Sequence, residues 1–192
     1  MNKFFVIAVF LFLPAAVVAQ NPQDYKFVIN NRQATITQYT GAGGAVTVPA
    51  RLGGWPVTSI GDYAFYGCRT LTQVGIPDGV TVIGFRAFQE CRKLWRVRLP
   101  FTLITIGDWA FSDCASLWDI NMPWSLIYIN RYAFDSCTSL TMISIPKSVK
   151  SIGTYGFTRC KNLATVQIHR STHIDRWTTF KQCPNLTIFW YP

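Results

Sequence analysis

The 192-residue chain contains few of the residues from which catalytic and metal sites are usually built. It has two histidines and nine Asp and Glu residues, and charged residues make up only 14% of the sequence. General acid–base catalysis and metal binding both need such groups gathered at one point. Because no nucleophile–base pair, carboxylate pair or metal-ligand motif is visible, the sequence predicts a protein that is not an enzyme, with no cofactor, no metal and no small-molecule substrate.

Long apolar runs are also scarce, and the one that occurs lies at the N-terminus. Lys3 precedes an apolar run over residues 4–13, and a series of small residues ends at Ala19. This pattern is typical of a cleaved secretory signal peptide. An uncleaved anchor is the weaker alternative, because a membrane-spanning helix needs about 20 apolar residues. We predict a signal peptide over residues 1–19 and an exported protein (secreted, on the cell surface or in the periplasm) with no transmembrane span after cleavage.

Hydrophobic residues, by contrast, are abundant at 49%, and Lys and Arg outnumber Asp and Glu by 18 to 9. The length and the apolar content suit one domain with a substantial core. The formal charge of +9 either keeps the protein soluble or attracts an acidic partner, which includes acidic glycans. Nucleic acid is disfavoured as a partner, since the predicted export and the lack of a recognition motif leave only charge as an argument.

A 23-residue period runs through the rest of the chain. Phenylalanines recur at Phe65, Phe88, Phe111, Phe134, Phe157 and Phe180, and cysteines recur at Cys68, Cys91, Cys114, Cys137, Cys160 and Cys183. A leucine follows each cysteine by three residues, and two further apolar columns end at Phe189 and Tyr191 in the last unit. Six units in register without an insertion are the signature of a solenoid.

One unit shows what the repeat predicts locally. Val97 and Leu99 alternate with Arg96 and Arg98, which is the pattern of a short strand with one buried face, and Pro100 ends it. Stacking of such units buries the apolar columns in one continuous core.

A glycine column precedes the phenylalanines and contains Gly84, Gly107 and Gly153, with Asn130 in one unit. Because Asn is the residue that best replaces Gly at a positive φ, this column predicts a left-handed turn. The small residues beside each phenylalanine predict a tight helical turn.

The motif L-x-x-I-x-I-P-x-x-V-x-x-I-G-x-x-A-F-x-x-C resembles the BspA-type leucine-rich repeat, which is also found in treponemal leucine-rich repeat proteins. Residues 140–160 match it nearly residue by residue, and the resemblance covers residues 57–192 as about six units, the last degenerate. Residues 20–56 resemble the N-terminal cap of that family, and their alternating pattern predicts a β-hairpin. The resemblance implies a mainly β solenoid with short parallel strands on one face and short helical turns on the other.

The cysteine column leaves two alternatives open. Six cysteines in an exported chain suggest disulfides, and stacked coils bring equivalent residues within the range of a disulfide. Their register between core residues instead favours structural, buried thiols. A linear column does not converge on a metal ion, and it does not form a catalytic Cys–His pair.

Large aromatic and charged side chains occupy positions of the second and third full repeats that the consensus leaves open. We predict a protein-binding patch at Trp95, Arg96, Arg98, Phe101, Trp118, Asp119, Asn121, Trp124 and Tyr128. Trp, Tyr and Arg are enriched at binding hot spots. The alternative is that the rings only pack on each other across coils.

The family resemblance implies an exported protein that recognises an extracellular or envelope protein, with adhesion to host matrix or other cells as the expected function. The alternative is a structural scaffold in the periplasm or envelope that has no external ligand.

Overall fold

The computed structural model describes residues 21–192. The predicted signal peptide at residues 1–19 lies outside this range. The described chain begins with a short 3-10 turn over Pro22–Asp24, where the amide of Gln23 donates to the side chain of Asn21. The hairpin expected in the N-terminal segment is confirmed, since β1 (Tyr25–Asn30) pairs antiparallel with β2 (Gln33–Tyr39).

The rest of the molecule is a continuous stack of coils. The first five coils contribute a first and a second short strand, and the last two contribute a first strand only. The first strands are β3 (Gly44–Thr47), β6 (Leu71–Gly75), β8 (Arg96–Arg98), β10 (Asp119–Ile120), β12 (Met142–Ile145), β14 (Thr165–His169) and β15 (Thr187–Tyr191). The second strands are β5 (Trp55–Ile60), β7 (Val82–Ile83), β9 (Thr105–Ile106), β11 (Tyr128–Ile129) and β13 (Ser151–Ile152), and β4 (Arg51–Leu52) pairs antiparallel with β5. This mainly β solenoid is the predicted fold class.

The strands of neighbouring coils pair in parallel and form three sheets. The first strands make a four-stranded sheet in the order β10-β8-β6-β3 and a three-stranded sheet in the order β12-β14-β15. The second strands join the hairpin in one sheet, in the order β1-β2-β5-β7-β9-β11-β13. Because pairing is parallel and in register, equivalent residues of successive repeats lie side by side.

The short helical turns predicted opposite the strands are not confirmed. In one such segment the amide of Gln89 bonds to the carbonyl of Arg86 within its own coil, while the amide of Phe88 bonds to the carbonyl of Ala110 in the next coil. A helix would satisfy both bonds internally. Here alternate amides link neighbouring coils, so the segment is a series of β-turns.

The left-handed turn predicted at the glycine column is wrong. Gly84, Gly107 and Gly153 do not have positive φ angles, and neither does Asn130. In the first five repeats a positive φ occurs two residues later, at Tyr63, Arg86, Trp109, Tyr132 and Tyr155.

The glycines are required for the close approach of neighbouring coils. A Cβ atom on Gly107 would lie 2.8 Å from the backbone of Gly84 in the preceding coil, and one on Gly153 would lie 2.6 Å from the amide nitrogen of Arg131. Real Cβ atoms essentially never approach backbone so closely. The space between coils, rather than the local turn, selects glycine.

The core is a continuous stack of repeated side chains. Adjacent phenylalanine rings from Phe65 to Phe180 have centroids 4.7–5.6 Å apart and are nearly parallel. The valine, leucine and isoleucine columns of both strands surround them, and most of these side chains are fully buried. Every internal coil is therefore covered on both sides by apolar surface.

The six cysteines are free thiols. The Sγ of Cys114 donates to the carbonyl of Phe88 at 3.2 Å, and Cys91 and Cys137 make the same bond one coil before and one coil after. Five of the six thiols thus bond to a carbonyl of the preceding coil, and none of the six forms a disulfide in the part of the chain that the structure describes.

The last strand is shifted by one residue relative to the repeat. In β15, Ile188 pairs with Val166 and Trp190 pairs with Ile168, so that Phe189 points outward and is 55% exposed. Aligning Phe189 and Tyr191 with the buried columns is therefore wrong. The slip exchanges the two faces of the strand, as any one-residue change of register does.

Candidate protein-binding surface

Trp95 and Trp118 occupy the same repeat position, directly after a buried leucine. That position lies immediately before β8 in one coil and before β10 in the next. The parallel register stacks the two rings, with centroids 5.6 Å apart and planes inclined by 12°. Trp95 is half-buried, whereas Trp118, the outer ring, is 55% exposed.

An ion-pair network adjoins this stack. Asp119 lies opposite Arg96 in the parallel ladder, and its Oδ2 accepts from Nε of Arg96 at 2.6 Å. Its Oδ1 lies 3.5 Å from Nη1 of Arg98. The guanidinium of Arg96 also lies 4.7 Å from the ring centroid of Trp95. Two guanidiniums share one carboxylate, so the network carries a net positive charge and holds the arginines in place.

Asn121 is occupied by the backbone of the preceding coil. Its Oδ1 accepts from the amide of Leu99 at 2.9 Å, and its Nδ2 donates to the carbonyl of the same residue at 3.1 Å. The side chain therefore continues the strand ladder beyond β10, which is only two residues long. Asn121 supports the surface by fixing its backbone.

Phe101 and Trp124 follow the prolines that end two successive units. Their side chains are 73% and 77% exposed. With Arg98 and Asn121 they line an open groove of about 430 Å³. Arg98 connects this groove to Asp119 and hence to the tryptophan stack. We call the residues Trp95, Arg96, Arg98, Phe101, Trp118, Asp119, Asn121 and Trp124 the aromatic–arginine surface.

Tyr128 is not part of this surface. It lies in β11, in the sheet of second strands, where Thr105 and Ser151 are its neighbours. The prediction that groups Tyr128 with Trp124 rests on their closeness in sequence. Between the two residues, however, the chain passes into another sheet.

A second aromatic column lies in the turn segments, outside the patch predicted from the sequence. The rings of Trp109, Tyr132 and Tyr155 stack with centroids 4.0 and 4.8 Å apart. The guanidinium of Arg86 lies 5.6 Å from the centroid of Trp109, and the ammonium of Lys181 lies 5.9 Å from that of Tyr155. All of these residues except Lys181 occupy one repeat position, two residues after the glycine column. The 23-residue period is therefore the sequence signal that groups them. Because each ring face meets another ring or a cation, the column stabilises the turns.

The part of the chain that the structure describes contains no candidate metal site. Residues 21–192 contain no group of three or more His, Cys, Asp or Glu side chains placed to hold a metal ion.

None of the helices formed by residues 21–192 is long and apolar enough to cross a bilayer.

Comparison with known proteins identifies the repeat. Six copies of the BspA-type leucine-rich repeat region match residues 58–187. Proteins with curated functions give no match.

Solved structures agree with this assignment. A leucine-rich repeat protein of T. pallidum is 34% identical, with a TM-score of 0.81, and the match covers 89% of this chain and 81% of that one. A leucine-rich repeat protein from Bacteroides ovatus is 25% identical, with a TM-score of 0.66, and the match covers 88% of this chain and 51% of that one. The pneumococcal vaccine antigen PcpA, at 22% identity and a TM-score of 0.55 over 77% of this chain and 48% of its own, shares the fold. With repeats that match over most of its length and a treponemal relative that it nearly spans, this chain belongs to the BspA-type leucine-rich repeat family.

Proposed function

We propose that this protein is exported and recognises another protein through the aromatic–arginine surface, with adhesion to a host matrix protein or to another cell as its role. The observation that carries the proposal is the exposure of Phe101, Trp118 and Trp124 around two arginines that share Asp119. Membership of a repeat family whose members present extended binding faces supports protein recognition as the activity.

The surface has the chemistry of a binding hot spot. Large aromatic side chains and arginines supply most of the energy at protein interfaces, and charged rims without them supply little. Asp119 and the ring of Trp95 already hold Arg96, so binding would cost little side-chain entropy there. Because two guanidiniums share one carboxylate, the surface suits a partner that presents an acidic side chain beside apolar groups.

Export is proposed from the signal-peptide pattern at residues 1–19. The mature protein should begin at Gln20, and mass spectrometry of protein recovered from cell fractions tests this. Protease added to intact cells should degrade a surface-exposed protein and leave a periplasmic one whole.

The binding proposal predicts that Trp118→Ala and Trp124→Ala each weaken binding to the partner about tenfold or more, as truncation of an exposed aromatic that becomes buried at the centre of an interface does. The measurement is binding of the purified protein to a panel of matrix proteins at low and at physiological salt. Tyr128→Ala is the matched control, because it removes an exposed ring from another sheet and should leave affinity unchanged.

Three outcomes would contradict the proposal that the aromatic–arginine surface binds a protein. Equal losses in Trp118→Ala and Tyr128→Ala would mean that the surface is not specific. Binding to every acidic protein that vanishes at physiological salt would reduce the interaction to charge attraction. Absence of any ligand, together with protection from protease on intact cells, would favour the structural scaffold of the envelope.

A further inference from the structure

A separate cleft lies at the C-terminal end of the solenoid, away from the aromatic–arginine surface. It has a volume of about 580 Å³ and is lined by Arg170, Thr172, His173, Ile174, Arg176 and Trp190. This size is within the range of clefts that bind small ligands or single units of a polymer. The shift of β15 contributes to the cleft wall, because it places Trp190 opposite the buried Ile168, on the core side of the strand, where it lines the cleft.

The cleft is positively charged and its arginines are not neutralised within residues 21–192. Neither Arg170 nor Arg176 forms an ion pair there, whereas Arg96, Arg98 and Arg159 each pair with an aspartate. Asp175 lies beside Arg176 in sequence, but its Oδ1 accepts from the amide of Trp177 at 2.9 Å. Two guanidiniums therefore face the cleft with free donors, and such donors match the paired oxygens of a sulfate or a carboxylate.

Aromatic rings accompany these cations. The guanidinium of Arg176 lies 4.8 Å from the ring centroid of Trp190, which holds it against the cleft wall. Trp177 follows Arg176 in the chain and is not among the residues that line the cleft; it is 89% exposed, the largest value among the exposed large hydrophobic residues of the described chain. The negative face of an indole attracts the weakly positive C–H face of a sugar ring, as it attracts the edges of other rings.

We propose that this cleft binds an acidic sugar unit of a glycan, with Arg170 and Arg176 contacting its sulfate or carboxylate and Trp177 packing on its ring. The combination of unpaired guanidiniums, a half-buried indole and an exposed indole favours this ligand over a bare inorganic anion, which would use no aromatic surface. The site is independent of the aromatic–arginine surface, so either assignment can fail alone.

The test is calorimetric titration of the purified protein with a sulfated, uronic-acid-containing disaccharide at physiological salt. Its desulfated, carboxyl-reduced counterpart and inorganic sulfate are titrated in parallel. We expect saturable binding of the acidic disaccharide alone. The double variant Arg170→Gln with Arg176→Gln should weaken it at least about tenfold, since each lost charge-assisted contact contributes severalfold or more.

The matched control is Arg92→Gln with Lys93→Gln, which removes two exposed cations elsewhere and should leave the affinity within about twofold. Trp177→Ala should weaken disaccharide binding without changing the melting temperature, because its ring is exposed. Trp118→Ala should bind the disaccharide normally.

Three results would overturn the proposal. Equal losses in the two double variants would assign the binding to diffuse charge. Sulfate binding as tight as that of the disaccharide would remove the sugar from the assignment. No binding of the acidic disaccharide would show that the cleft has another role, while leaving the protein-binding test of Trp118 and Trp124 untouched.

Discussion

Each internal coil uses one cysteine for the same contact. The thiols of Cys91, Cys114 and Cys137 are fully buried and donate to a phenylalanine carbonyl of the preceding coil. Burial raises the pKa of each thiol above its ordinary value, because a thiolate would lose its hydration. At the residue scale, the cysteine is a small side chain that both fills space and satisfies a carbonyl, and it needs to remain neutral to do so.

These thiols predict that the protein loses stability in alkaline solution. Their pKa is raised in the folded state, so the stabilising contribution is complete below the unfolded-state pKa of about 8.5 and is lost as the pH rises above it. The free energy of unfolding should fall by up to about 1.4 kcal/mol per pH unit for each such thiol. Urea unfolding between about pH 7 and pH 9.5, below the usual pKa of tyrosine near 10, measures this fall.

Cys114→Ala provides the control for the alkaline prediction. It removes one buried thiol, so its stability should fall less steeply with pH, although it is less stable throughout because of the cavity left behind. If the free energy of unfolding does not change over this pH range, the thiols are not buried and held neutral in the folded protein, and the prediction is wrong.

At the scale of the element, neighbouring turns approach each other as closely as strands do. Alternate amides of the turn segment bond to the next coil, and the glycines at Gly84, Gly107 and Gly153 leave no room for a Cβ. Residues such as Arg86 and Trp109 accept a positive φ because the surrounding coils hold them there. The turn is thus determined by its neighbours as much as by its own sequence.

Gly107→Ala should destabilise the protein by about 1–3 kcal/mol, the usual cost of overpacking a close contact. The added Cβ would meet the backbone of Gly84 and Ile83, which cannot rotate away. The control is Gly75→Ala, since a Cβ there would lie no closer than 3.8 Å to Thr47. Chemical unfolding should separate the two variants, and equal stabilities would show that the coils move apart easily.

At the scale of the whole molecule, one core continues through every coil, and its C-terminal end differs from its middle. Phe111 in the middle is fully buried, whereas the last coil has a half-buried Cys183 and a strand whose side chains are half-buried or exposed. In a solenoid each repeat is stabilised only by its neighbours. The aromatic–arginine surface therefore lies on well-supported coils, and the basic cleft lies on the less supported end.

This gradient predicts the pattern of amide hydrogen exchange. The amide of Phe111, bonded to the carbonyl of Ala133, should exchange at the slowest rates, and the amide of Thr187, bonded to Ala164 in the last coil, should exchange faster. Exchange followed by mass spectrometry at neutral pH gives both rates. Uniform protection along the chain would mean that the solenoid opens only as one cooperative unit.

The sequence by itself determined the 23-residue period, the parallel strands, the buried columns and the pairing of like positions such as Trp95 with Trp118, because stacking equal units places residue i beside residue i+23. It also determined that the cysteines form a column, though not whether they are thiols or disulfides. Only the tertiary structure decided which turn residues take a positive φ, that Tyr128 belongs to another sheet, and that β15 slips by one residue beside Trp190. These features depend on how far apart the coils lie and how the chain bends around each of them, which is set by contacts between repeats rather than by the pattern within one.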